Sequence, residues 1–278
     1  DKAAFKISPD VRFNFAPVKE IINVFAGVDG NYFHNHYSAI AAQNPYVDPE
    51  LSVKNHHEIY RIYGGFDGRI SPKTNFKIQV DHSEFDNHPL YYLQGFNLPT
   101  LLETAYVDNT FKVLYDDMKT TKFNAEVTHH AGDKLNLLVS ANIFKYTMAD
   151  LNDPAEEQQK AWNMPTFDAT MSVNYAVNDR LSVAADLYAI GKRTGLVKQY
   201  KFFSGLFVDI TDPDLLVPEP KQYTLNTAID INLRGNYAIT SKLSAFAQLN
   251  NFGLQKYERW LGYPVQSFNL LGGISYSF

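Results

Sequence analysis

The chain has 278 residues, no cysteine, a formal net charge of -5 and 45% hydrophobic residues. These values exclude disulfides, thiolate metal sites and a Cys nucleophile, offer no basic footprint for nucleic acid, and leave no apolar run near the roughly 18 residues of a membrane helix. The outlying feature is aromatic content, 20 Phe and 18 Tyr against 2 Trp, side chains that favour strands and boundaries between apolar and wet surroundings.

In chain order, period-2 alternation of apolar and polar residues predicts strands at about 5–15, 20–35, 56–70, 74–90, 105–130, 133–147, 161–176, 180–194, 222–238, 241–255 and 265–278. In the strand near residue 170, Phe167, Ala169, Met171, Val173 and Tyr175 alternate with Asp168, Thr170, Ser172 and Asn174. Such strands reach about ten residues, longer than the five or six of a typical globular strand and long enough to cross a membrane. The stretch 105–130 reads as one long strand, because dividing it would put the next short turns on the wrong side.

The connections alternate in length. "NYAVNDRLSV" (174–183) and "NYAITSKLSA" (236–245) are near-copies, with looser relatives at 14–23, 69–78 and 128–137, and each short turn carries a cation: Lys19, Lys73, Lys134, Arg180 and Lys242. Long connections lie at about 37–55, 86–104, 148–160, 194–221 and 255–264. Short turns on one rim and long loops on the other are the mark of an up-and-down barrel, with short turns on the periplasmic side. The fold class expected is all-β, an antiparallel transmembrane barrel wall of about eleven strands, with ten to twelve allowed. An odd count starting almost at residue 1 leads to the further expectation that strands precede Asp1 and that the whole barrel holds about 22.

The final stretch "NLLGGISYSF" resembles the closing strand of Gram-negative outer-membrane proteins. Leu270, Ile274, Tyr276 and Phe278 match its alternation, and Gly272 departs from it. The resemblance implies that this strand closes the barrel, with Phe278 at the periplasmic rim. "AAQNPYVDPEL", "YRIYGGFDGRIS", "VLYDD", "AWNMPTFDATMSVNYAVNDRLSV", "GKR" and "RWLGYPVQSFNLLGGISYSF" extend the likeness to the C-terminal barrel of a Bacteroidetes-type TonB-dependent receptor. That resemblance implies an outer-membrane location and lipid contact. It also implies uptake through TonB-type coupling, with a plug and N-terminal strands of the same protein as partners. A barrel subunit that docks proteins without transport, and a self-contained twelve-strand porin, are the alternatives.

Candidate site residues are few. His34 and His36 share one predicted strand face, His56 and His57 open the next strand, and His82 and His88 sit toward the outer end of the following one. Imidazoles so placed suit a transition metal or haem-type iron; the plainer reading of the same residues is solvated loop bases, and no cofactor is expected. Arg12, Arg61, Asp67, Arg69, Gln79, Asp81, Asp168, Asp186, Asp230 and Arg234 are expected to face a polar interior. No G-x-S-x-G, phosphate loop or H-E-x-x-H occurs, and Ser204 in "FFSGLF" has no base tied to it by spacing, so no enzyme is expected. Apolar loop stretches at 96–103 and 209–220 read as a lid or a docking face for a surface lipoprotein, or as mutual packing.

Overall fold

A computed structural model describes residues 7–19, 21–95, 109–149, 160–198, 200–202, 216–218 and 220–278. Its elements in order are β1 (Asp10–Val18), β2 (Ile22–Phe33), α1 (Tyr37–Gln43), β3 (His56–Ser71), β4 (Thr74–Gln94), β5 (Phe111–Ala131), β6 (Leu135–Met148), β7 (Phe167–Ala176) and β8 (Leu181–Ile190). There follow β9 (Arg193–Lys198), β10 (Tyr200–Phe202), β11 (Leu216–Pro218), β12 (Lys221–Leu225), β13 (Ala228–Ala238), β14 (Leu243–Asn250), β15 (Glu258–Trp260), β16 (Tyr263–Pro264) and β17 (Asn269–Tyr276). The main sheet is an antiparallel meander of eleven strands, β1 through β8 and then β13, β14 and β17. The undivided strand expected at 105–130 is β5. Among the described residues β1 and β17 are paired on one side only, so the sheet does not close on itself.

Register makes one face apolar from strand to strand. Val24, Phe66, Ile78, Ala125, Ala141, Ala169, Ala189 and Ile229 are successive cross-strand partners over eight strands. Flanking them, Phe13, Ile62, Val80, Phe123, Ile143 and Ile274 keep large exposed surfaces. The opposite face pairs polar groups across strands: Asn124 donates to Asn142 at 2.9 Å, Asn142 to Asp168 at 2.7 Å, and Ser172 to Asp186 at 2.6 Å. Gly132, at φ 63° in the β5–β6 turn, supplies the left-handed residue that this tight reversal needs. No helix among the described residues is long and apolar enough to cross a membrane.

The predicted strands 180–194 and 222–238 each divide in two. The ladder stops at Ile190 opposite Ala228 and resumes at Arg193 opposite Leu225. At this break the freed backbone groups find other partners. The Gly191 amide donates to Phe167 at 2.7 Å, and the Gln255 side chain accepts from the Ile229 amide at 2.6 Å and donates to the Thr227 carbonyl at 3.4 Å. Likewise β7 starts at Phe167 rather than 161, because Asn163 adopts φ 62° and turns Trp162 inward.

Beyond the break, β9 pairs with β12 on one side and in parallel with the tip of β4 on the other, through Leu93–Val197 and Gln94–Lys198. The fully buried side chains gather here, at the long-loop end. One cluster joins Ile40, Val47, Tyr91, Leu93, Phe111 and Val197, with Trp260, Leu261 and Tyr263 against it. The second joins Leu90, Met118, Trp162 and Leu196. Each cluster draws on elements far apart in sequence, so the outer loops fold into a cap with its own core.

Candidate ligand-capture surface

The sheet's polar face and the cap are the two surfaces on which a ligand or partner could be held. The ten residues expected to face a polar interior all fall on the polar face by register. Near β1 they line a concavity of about 440 Å³ with Arg12, Asp29, Arg61, Tyr63, Asp67 and Lys77 on its wall. The Arg61 guanidinium donates to both Asp29 carboxylate oxygens, at 2.8 and 2.6 Å, the planar two-point geometry in which an arginine pair is strongest. Asn23 donates to Asp67 at 3.1 Å.

Two aromatic rings lie flat on this wall because glycines stand opposite them. Tyr63 faces Gly27 and Phe25 faces Gly65 in the β2–β3 register. A Cβ on Gly27 would come within 2.5 Å of the Tyr63 ring, and one on Gly65 within 3.0 Å of the Phe25 ring. Arg61 sits 5.1 Å above Tyr63 and Lys77 5.7 Å above Phe25, so each ring carries a cation.

The four histidines proposed as one metal centre do not converge. The β2–β3 register shifts between Asp29 and Asn31 and the β3–β4 register between Glu58 and Tyr60. Neighbouring His56 and His57 still point to opposite faces, as successive strand residues do. His56 stacks on Phe33 at 4.3 Å, lies 5.6 Å from His88, and has Nδ1 2.8 Å from the Asn35 side-chain Nδ2. His34 and His57 instead flank Tyr32, at 5.4 and 5.9 Å. His36 is the N-cap of α1, its Nδ1 accepting from the Ala39 amide at 3.2 Å. His82 lies mid-strand beside Thr121 at 3.0 Å. Among the described residues no group of three or more His, Asp or Glu has metal-holding geometry.

Above the apolar band, burial sets the electrostatics. His88, packed on Phe85 and His56, is pushed down to about 4 by desolvation, and burial also lowers His56. Lys112 hydrogen-bonds Asp48 and holds that carboxyl below its ordinary range, tying the segment after α1 to β5. Arg193, 5% exposed, donates to the Glu258 carbonyl at 2.7 Å and to the Arg259 carbonyl, and burial lowers its pKa. It thereby pins β15 to β9. Sequence reading missed this cap. "AWNMP", "GKR" and "RWLGYP" carried its signal, since Trp162, Arg193 and Trp260 lie in it. Ser204 and the stretches 96–103 and 209–215 lie outside the described residues.

Leu270, Ile274 and Tyr276 lie on the apolar face of β17, exposed and in register with Leu249, Ala245 and Leu243. Phe278 follows them, its ring 5.3 Å from Tyr276.

No family model matches the sequence, and no curated protein matches it. Solved structures do. The pyoverdine outer membrane receptor FpvA from Pseudomonas aeruginosa aligns at TM-score 0.63 and 13% identity over 98% of this chain and 36% of that one. The siderophore receptor PiuA from Acinetobacter baumannii aligns at 0.61 and 11% identity, over 97% and 35%. The ferric-catecholate import receptor Fiu from E. coli K12 aligns at 0.58 and 13% identity, over 94% and 34%. The chain spans about a third of the length of these receptors. Its eleven-strand meander with capped outer ends has the fold of the barrel region of TonB-dependent outer-membrane receptors.

Proposed function

We propose that this chain forms part of the wall and outer cap of a TonB-dependent-type outer-membrane receptor that captures a ligand from outside the cell. The carrying observation is the apolar face, continuous over eleven strands and bordered by short turns on one rim and a folded cap on the other. A hydrocarbon environment offers no hydrogen-bond partners, so a sheet exposing such a face to lipid must satisfy its backbone within ladders, as the strands between β1 and β17 do. The edge strands β1 and β17 need further strands of the same protein, and Leu270, Ile274, Tyr276 and Phe278 form the lipid side of that seam. The polar wall with its Arg61–Asp29 pair is the side a plug would occupy, and energy coupling through TonB belongs to the complete protein. The similar receptors bind pyoverdine or import ferric catecholates, so a ferric chelate is the ligand class we propose first.

Because the 278 residues contain no cysteine, single cysteines placed in them report topology directly in a full-length protein cleared of any cysteine elsewhere. With a membrane-impermeant maleimide, Glu50→Cys in the cap should label on intact cells. Ser241→Cys in a short turn should label only after permeabilisation, and Ile62→Cys on the apolar face should stay unlabelled in membranes. Labelling of Ser241→Cys on intact cells would reverse the orientation. Labelling of Ile62→Cys in membranes would remove the lipid contact altogether.

A further inference from the structure

The cationic turns are built alike, well beyond their likeness in sequence. At four of them the carbonyl of the basic residue accepts a hydrogen bond from the end of the next descending strand. Lys73 accepts from the His130 amide at 2.8 Å, Lys134 from Ala176 at 2.7 Å, Arg180 from Ala238 at 2.8 Å and Lys242 from Ser277 at 2.8 Å. The main chain therefore fixes each cation at an equivalent point on the rim. Adjacent hairpins are two strands apart, which spaces these points by roughly 10 Å. In the first turn Ile21 holds this place, accepting from Arg69 at 2.8 Å, and Lys19 lies two residues earlier.

Register adds a second constant. The residue after each cation is the first apolar-face residue of the rising strand, and at three turns it is Leu with a Tyr directly across. The pairs are Leu135–Tyr175, Leu181–Tyr237 and Leu243–Tyr276, with Thr74–His129 at the fourth turn. All three tyrosines are exposed on the apolar face, and the four cations are exposed and in no ion pair among the described residues. Asp133 and Asp179 share two of the turns, each one residue farther from the apolar face than its cation.

A phenol and an alkyl group at the edge of an apolar band, with a cation just beyond, match the layers of a phospholipid from acyl chain to glycerol to phosphate. We propose that the short-turn rim is a row of headgroup sites, one per hairpin. At four of them Lys73, Lys134, Arg180 or Lys242 takes the phosphate of an anionic glycerophospholipid, and at the last three Tyr175, Tyr237 or Tyr276 reaches its glycerol region. The inference rests on the membrane-wall reading above and adds which lipid the wall selects and where.

The test uses the full-length protein in phosphatidylcholine bilayers doped with spin-labelled phosphatidylglycerol or spin-labelled phosphatidylcholine, read by electron paramagnetic resonance. We expect the motionally restricted population to favour phosphatidylglycerol on the order of threefold. In the combined Lys73→Gln, Lys134→Gln, Arg180→Gln, Lys242→Gln variant the preference should fall to about one. The total restricted population should stay unchanged, since the turns are held through carbonyls that Gln retains. Molar salt should erase the wild-type preference. A wild type without preference, or a variant that keeps it, overturns the headgroup sites while leaving the wall intact. No restricted lipid of either kind overturns the membrane-wall reading, and the headgroup sites with it.

Discussion

Phe111→Ala tests whether the outer loops share one core. Phe111 is wholly buried, with its ring 5.4 Å from Trp260 and 6.0 Å from Tyr263, and it bridges to Val47. It thus touches the segment after α1, the β4–β5 tip and the β15–β16 hairpin at once. Removing a fully buried Phe ring costs about 3–5 kcal/mol. At about 1.4 kcal/mol per tenfold, the lower figure raises the open population of the cap roughly a hundredfold. Protease cleavage tracks that population when opening and closing are fast, so cap cleavage of the full-length protein on intact cells should accelerate by a similar factor. Phe123→Ala, on the apolar face of β5 and 41% exposed, should leave it unchanged. If Phe111→Ala blocks assembly, Phe111→Leu serves with a smaller rise, about tenfold. A Phe111→Ala rate within about threefold of wild type, or an equal rise in Phe123→Ala, would refute a common core.

Other outcomes follow from the wall and its junction with the cap. Gly65→Ala places a Cβ 2.1 Å from the Ile78 carbonyl oxygen, whereas Gly235→Ala meets nothing within 4 Å. The first should abolish heat-modifiable migration of the folded barrel and the second should leave it normal; equal behaviour would contradict the β3–β4 packing. His88 stays neutral in the fold down to about 4, below the ordinary histidine value near 6.5. Its contribution to stability is therefore full above about 6.5 and is lost as pH falls toward 4, the unfolded or opened state taking the proton first. Cap cleavage should rise over that window, and His88→Phe should flatten the rise; an unaltered profile would assign the acid response elsewhere.

The wall was legible in the sequence and the cap was not, for different physical reasons. A strand between lipid and water must alternate, so Phe167 to Tyr175 or Phe76 to Val80 announce their faces without reference to any partner. The cap has no such period. Ile40, Phe111 and Val197 meet in one cluster, and Leu90, Trp162 and Leu196 in another, because β4 extends to Gln94 and β9 crosses to pair with it. The breaks at 191–192 and 226–227 were hidden as well, since the Gln255 amide that replaces the missing ladder bonds is remote in sequence. For the histidines, spacing suggested one cluster. His56 and His57 separate across the sheet, and His36 is committed to capping α1, which sequence spacing does not reveal.

A further consequence concerns how far such a chain can drift. Along the wall each position is asked only for hydropathy and main-chain pairing, so Ala, Val, Ile, Leu or Phe can replace one another while the ladder stays in register. Shape is enforced where Phe111 meets Trp260, where Trp162 packs with Leu90, Met118 and Leu196, and at the few glycines beneath aromatic rings. A wall specified in this way leaves most of its letters nearly unconstrained. About 13% identity beside a TM-score of 0.63 accords with that freedom. Homologues should differ most along the sheet's apolar face and agree best in the small compact structure above it.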